Sequence, residues 1–301
     1  MFKNRNLLMI VTLMAALTLG AVPVLAKTIT DETGRRVEIP DNPQRIVALT
    51  PWVVELLFDL NHPPVGRPSS AVYPKEALKV PAHGTSYRLN YERILAMQPD
   101  LIIGNANLHT SQLPQLETIG APVLLFNINS YEDVLEKTQI LGEITGHTEE
   151  AAAIIENIKE RFAKLQQKLP ETGPTAVILV GSSEAFSVAK ENSYIGDILA
   201  TLGGRNIATG PEHRPGFTKL SLEYIAEADP DVIFAVKPAR NPREASSALE
   251  GYDKNPLWSS LKAVKTGRVY ELDPVIFFMN PGPRVIDALE QMAAYLYPEV
   301  F

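Results

Sequence analysis

The sequence predicts an α/β protein built as two lobes joined by one long helix, and three observations carry that reading. First, "LNYERILAMQPDLII", Leu89 to Ile103, returns 131 positions later as "LSLEYIAEADPDVIF", Leu220 to Phe234. Without a gap, six of the first fourteen positions are identical: Leu89/Leu220, Glu92/Glu223, Ile94/Ile225, Pro99/Pro230, Asp100/Asp231 and Ile102/Ile233. Second, short apolar runs bounded by turn residues alternate with amphipathic patterns of helical period, the signature of layered α/β folds. Third, a single extended helical pattern, Thr148 to Leu169, separates the two copies of the repeat.

The chain opens with Lys3 and Arg5 ahead of an apolar run that closes on Val24-Leu25-Ala26, the layout of a cleavable signal peptide over residues 1–26. No Cys occurs in the 301 residues, which excludes a disulfide and a lipid-modified cysteine. A freely soluble periplasmic protein, secreted and not lipid-anchored, is therefore expected. The first 26 residues hold two of the 28 basic side chains and none of the 35 acidic ones, so the remaining 275 carry a formal charge of −9. Nucleic acid is excluded as a partner on that balance. A chain of this length outgrows one hydrophobic core, so one copy of the repeat is assigned to each lobe.

Each copy sets a capping residue, Asn90 or Ser221, ahead of a short amphipathic helix, then a Pro-Asp stop, then aliphatic residues for a buried strand. Further strands are predicted at Ile46 to Leu49, Val123 to Phe126, Ala176 to Val180 and Val269 to Leu272. Helices are predicted at Val53 to Leu60, Tyr131 to Ile144, Tyr194 to Leu202 and Arg284 to Leu296. In the connector, Ala151, Ile154, Ile155, Ile158, Phe162, Leu165 and Leu169 fall on helical spacing; Thr148 is the expected cap, and "PETGP" from Pro170 ends it. At 1.5 Å per residue, its 22 residues span roughly 33 Å. The organisation is thus a first lobe at 27–147, the connecting helix at 148–169 and a second lobe at 170–301.

Taken together, "ITDETGRRVEIPDNPQRIVALTPWVVELLFDL", the two repeats, "ENSYIGDILATLGGRNIA" and "PGPRVIDALEQMAAYLYPE" resemble the ABC-importer solute-binding proteins of the helical-backbone type, which capture iron-siderophores, haem or cobalamin. The resemblance spans nearly all of the chain after the leader. It implies two Rossmann-like α/β lobes facing a cleft, a monomer with no cofactor of its own, and a metal chelate as ligand. The implied partner is an inner-membrane ABC permease with a cytoplasmic ATPase. It also implies that Glu92 and Glu223, one on each lobe, dock on Arg residues of that permease; acidic residues in a first helical turn complement the helix dipole in any case.

Loops after the C-terminal ends of the strands line the cleft of an open α/β sheet. Those loops carry Trp52, Tyr73, Tyr87, Arg88, His213, Arg214, Phe217, Arg240, Phe277 and Phe278, a mixture suited to a bulky anionic chelate: apolar faces for burial, guanidinium donors for carboxylate or catecholate oxygens. Tyr87-Arg88 precedes the first repeat and His213-Arg214 the second, so the two pairs are expected to reach one cleft from opposite lobes. For a bare metal ion the credible ligands are His83, His109 and His213, without a His-rich loop to gather them. Ferric haem needs a single Tyr axial ligand, and Tyr87 lies near the position that haem-binding relatives use, displaced from Gly84 by Thr85 and Ser86. Cobalamin-binding relatives use several cleft aromatics and end in a helix similar to "PGPRVIDALE". Iron-siderophore capture is the leading expectation. None of the nucleophile-elbow, zincin, phosphate-loop or dinucleotide motifs is present, so an enzyme is not expected.

Overall fold

The structure is a computed structural model describing residues 26–182, 185–237, 248–252, 255–278 and 282–301. The leader assigned to residues 1–26 lies outside these, apart from Ala26, which opens the first strand. Strands β1 (Ala26–Thr30) and β2 (Arg36–Pro40) form an antiparallel hairpin. Asp31 pins its turn by accepting the Thr33 and Arg35 amides and the Arg35 guanidinium, which also donates to the Val123 carbonyl. This hairpin was not predicted: in β2 only Ile39 is buried, so five residues of surface pattern gave no strand signal.

The first lobe holds a parallel sheet of β3 (Ile46–Ala48), β4 (Leu101–Asn105) and β5 (Val123–Phe126) in that order. Its helices are α1 (Pro51–Asp59), α2 (Tyr91–Ala96), α3 (Ala106–His109), α4 (Leu113–Glu117) and α5 (Tyr131–Thr145). Helix α5 begins in a capping box of Ser130 and Asp133 and ends on Gly146 at φ 75°, a conformation that favours glycine. Helix α6 (Thr148–Gln166) then packs back along α5 and reaches the second lobe, where Arg161 donates to Asp287 and Glu290. It stops three residues before the expected Leu169: its end tightens into turns, with the Lys168 and Leu169 amides donating three residues back, and Leu169 itself precedes Pro170, which disfavours helical backbone there.

The second lobe contains β6 (Thr175–Ser182), β7 (Ala185–Ala189), α7 (Tyr194–Thr201), β8 (Arg205–Asn206), β9 (Glu212–Arg214), β10 (Phe217–Thr218), α8 (Leu222–Ala228) and β11 (Val232–Val236). It continues with α9 (Pro256–Ser260), α10 (Lys262–Lys265), β12 (Val269–Glu271), α11 (Pro274–Phe277) and α12 (Val285–Leu296). The strands run β12-β11-β6-β7-β10-β9, with β8 beside β6. Strands β12, β11 and β6 are parallel; β7, β10 and β9 extend the sheet antiparallel. That extension is absent from the predicted strands: β9 and β10 are runs of three and two residues, too short for a readable period, and β7 has only five.

The duplicated segment has a structural reason. Asn90 caps α2 by accepting the Arg93 amide, and Ser221 caps α8 by accepting the Tyr224 amide. The repeated aspartates then reach sideways. Asp100 accepts the amides of Gln44 at 2.7 Å and Arg45 at 2.9 Å, immediately ahead of β3. Asp231 accepts the amide of Thr175 at 2.9 Å and its hydroxyl at 2.8 Å, at the first residue of β6. Each therefore fixes the start of the strand that pairs with its own.

Alternate residues of the buried strands face two different cores. Leu101 and Ile103, Ala176, Ile178 and Val180, and Val232, Phe234 and Val236 belong to one cluster that continues through Trp52, Leu56, Tyr131, Ile195, Phe277, Val285 and Met292. Ile102 faces a separate outer cluster in the first lobe; Val177 and Ile233 face another in the second. The central cluster thus belongs to both lobes.

Asp231 is drawn down to about 2, mainly by the Lys262 ammonium and with the help of Thr175. A carboxyl held below its ordinary value gives stability that is present above about 4 and lost as pH falls through about 2. Asp231→Ala is expected to cost about 1–2 kcal/mol at pH 7 in urea unfolding and to remove this acid-side loss.

Candidate functional site

In the first lobe, two loops attach to the C-terminal ends of the parallel strands. The first is gathered by Arg67, whose guanidinium donates to the carbonyls of Val80, Pro68, Ser69 and Ala71. The second is a tight turn closed by Thr85 N–H donating to Arg88 O at 3.1 Å and Arg88 N–H donating to the Thr85 carbonyl and hydroxyl. Gly84 enters it at φ 129°, and a Cβ there would lie 2.4 Å from the Arg88 carbonyl, so no other residue fits. The loops meet where the Ser69 amide donates to Gly84 O. Tyr87 sits at the tip, 65% exposed, with Arg88 exposed beside it.

The facing element of the second lobe is the β9–β10 hairpin. Glu212 braces it by accepting from the Asn192 side chain and the Gly216 amide. The Arg214 guanidinium lies over the Phe217 ring, 3.8 Å from its centroid, a cation–π contact that holds the charge outward on an apolar plate. His213 Nε2 is 3.1 Å from the Ser187 hydroxyl on β7. Desolvation pushes the Arg214 guanidinium down, and an ionised Tyr87 would oppose it. Tyr87 and Arg214, one on each lobe, thus lie within electrostatic range of each other.

Tyr73 and the core aromatics have other surroundings. The Tyr73 ring is stacked on the Arg284 guanidinium, 4.0 Å from its centroid, while Arg284 donates two hydrogen bonds, at 2.8 and 2.6 Å, to the Glu55 carboxylate. Glu55 lies on α1 and Arg284 just before α12, so this buried bidentate pair joins the lobes. A second link is the Tyr131 amide, which donates to Asp197 at 2.8 Å. Trp52 and Phe277 are each 1% exposed inside the shared core, which corrects their expected place on the cleft: both face inward from helices that plug the interface. Phe278 is half-buried against the same core. Arg240 lies outside the described residues.

Two of the three histidines considered for a free metal are spent elsewhere. His83 and His109 are fully buried and bonded to backbone groups, and among the described residues no cluster of three His, Cys, Asp or Glu side chains is poised to hold an ion. Glu92 and Glu223 occupy equivalent first-turn positions of α2 and α8, both exposed and in no ion pair among the described residues. Residues the sequence did not single out are Glu55 and Arg284, and His109 was marked only as a possible metal ligand. Nothing in their local pattern marks Glu55 and Arg284, because 229 residues separate the partners.

Residues 46–276 match the family model described as periplasmic binding protein. The chain belongs to the periplasmic binding protein family. Among the family's curated members, it is 26% identical over 288 residues to the uncharacterized ABC transporter substrate-binding lipoprotein YvrC of Bacillus subtilis, covering 92% of this chain and 88% of the relative. It is 25% identical over 256 residues to the Fe(3+)-citrate-binding protein YfmC of the same organism, covering 82% and 78%. Among solved members, the siderophore-binding protein BauB, bound to ferric iron and two acinetobactin molecules, superimposes with a TM-score of 0.75 at 25% identity over 90% of this chain and 98% of that one. These matches share the two-lobed α/β architecture expected from the sequence. The expectation of a freely soluble, non-anchored periplasmic location is corrected by them. It was inferred from the missing cysteine, whereas family members as similar as YvrC are lipoproteins by name.

Burial pushes the Glu55 carboxyl up to about 7 against the pull of Arg284. A folded-state value above the ordinary 4.5 means that this group's contribution is fully present below 4.5 and declines as pH rises through about 7. Across that window, urea unfolding of the wild type is expected to show a decline on the order of 1–3 kcal/mol that Glu55→Gln lacks.

Proposed function

We propose that this chain is the substrate-binding component of an ABC importer, capturing an iron-siderophore or similar anionic ferric chelate between its lobes and passing it to a membrane permease with a cytoplasmic ATPase. The observation that carries the reading is the approach of Tyr87 and Arg214 from opposite lobes, with Arg88 on one side and the Phe217 ring on the other. Guanidinium groups recognise carboxylate and catecholate oxygens by paired hydrogen bonds, and aromatic faces cover the apolar body of a chelate. The ferric ligands named for YfmC and BauB support the same class. Capture and release need no covalent step, so the protein acts as a carrier and a monomer suffices.

Ferric haem is the second reading, favoured by the exposed phenol of Tyr87 at the tip of its turn, since a tyrosinate can ligate haem iron. For delivery, the matched exposed carboxylates of Glu92 and Glu223 are the groups we assign to permease docking.

Two experiments test the proposal. Arg88→Ala with Arg214→Ala is expected to weaken ferric citrate binding by about 2–4 kcal/mol in calorimetric titration, the cost of two charge-assisted contacts; unchanged affinity removes the site. Charge reversal at Glu92 and Glu223 is expected to abolish uptake in cells while leaving binding in solution intact, and undiminished uptake removes the docking role.

A further inference from the structure

We propose that His109 is a positioning residue for ligand capture, its buried imidazole holding the Thr85–Arg88 turn so that Tyr87 and Arg88 are aimed at the opposite lobe. The ring is 0% exposed at the end of α3, directly below that turn. The Asn105 amide donates to its Nδ1 at 2.9 Å, which requires a lone pair on that nitrogen. The proton therefore resides on Nε2, which donates to the Ser86 carbonyl at 2.8 Å. The Asn105 carbonyl is also 3.1 Å from Nδ1, but a proton there would leave the Asn105 amide without its acceptor. Ser86 immediately precedes Tyr87, so one imidazole connects the C-terminal end of β4 to the residue that supports the tip.

Other features of the chain serve the same strut. A Cβ on Gly104 would stand 2.9 Å from His109 Nδ1, so glycine at this strand position clears the ring's space. His83, also 0% exposed, donates from Nε2 to the Ala48 carbonyl at 2.9 Å and so ties the entrance of the same loop to the end of β3. The exit is tied where the Asn90 amide donates to the His83 carbonyl. Desolvation pushes both imidazoles below their usual range, which keeps them neutral. Neutral rings suit a strut whose partners are backbone groups: in His109 each ring nitrogen makes one directed bond, and no charge needs solvation. A leucine of similar size would fill the cavity but leave the Asn105 amide and the Ser86 carbonyl unpaired.

The aim of the turn matters only if Tyr87 and Arg88 touch a ligand, so this last step rests on the capture reading above; the strut itself does not. Asparagine at 109 keeps an acceptor near Nδ1 but is too short to reach Ser86, whereas glutamine places an N–H donor near Nε2. In hydrogen–deuterium exchange, His109→Asn is expected to raise exchange at the Thr85 and Arg88 amides about tenfold, as loss of one buried hydrogen bond implies, and His109→Gln to restore protection. With ferric citrate or haemin as probe, affinity should fall about fivefold or more in His109→Asn and recover in His109→Gln, in step with the exchange rates. Unchanged turn amides in His109→Asn overturn the proposal, as does a glutamine variant that exchanges as fast as the asparagine one. Should His109→Asn fail to fold, nitrogen-15 NMR of the wild-type ring decides: a slowly exchanging proton on Nε2 is expected, and a proton on Nδ1 alone overturns the strut. If the wild type binds neither probe, the capture reading fails while the exchange data still decide the role of His109.

Discussion

The two sheets are buried against each other through a single apolar cluster, running from Leu101 and Ile103 in one lobe through Trp52, Tyr131 and Phe277 to Val232 and Phe234 in the other. Separating the lobes would expose that surface, at about 25 cal/mol for every Å² uncovered. Polar groups at its edge add to the cost. The Glu55–Arg284 pair is sealed between α1 and α12, and opening it breaks a bidentate charge-assisted contact. Helix α6 lies alongside, joined to α12 by Arg161. Large hinge motion is thereby disfavoured, so the proposed site is largely in place before a ligand arrives. A pre-formed site spends little binding energy on ordering itself.

The same constraint explains why the lobes resemble each other only where they do. The helix, Pro-Asp stop and strand recur because both sheets need their first strand pinned, and Asp100 and Asp231 do this with the same geometry. Beyond that unit the lobes diverge. The second adds β7, β10 and β9 as an antiparallel flank, and that flank carries Arg214 and Phe217 of the proposed site. The first uses loops gathered by Arg67, His83 and His109. The two walls of the proposed site are thus made by different devices, a hairpin on one side and struts of buried basic side chains on the other.

The two-lobed α/β class, the caps at Asn90 and Ser221 and the inward strands were legible because their signals are local: capping types, apolar runs and a repeat long enough to align. The expectation that Tyr87-Arg88 and His213-Arg214 reach one cleft rests on their matched places before the two repeats. Trp52 and Phe277 were misplaced for a physical reason. An aromatic residue beside a strand end reads the same from sequence whether its helix turns it toward solvent or toward the neighbouring lobe, and here packing at the interface decides. His109 was noticed as a possible ligand, yet its role depends on a carbonyl 23 residues away and on the space left by Gly104, neither of which has a sequence period. The β9–β10 hairpin is too short to register as strands, although three of its residues, His213, Arg214 and Phe217, stand out for their chemistry.

The most direct test of a fixed, cationic and aromatic cleft is a calorimetric titration of the purified protein with ferric citrate, haemin and cyanocobalamin, accompanied by small-angle scattering of the free and saturated forms. Saturable binding of an anionic ferric ligand with little change in radius of gyration, and no response to cyanocobalamin, is the result this account predicts. Binding of cyanocobalamin alone, binding of none of the three, or a marked compaction on saturation would contradict it.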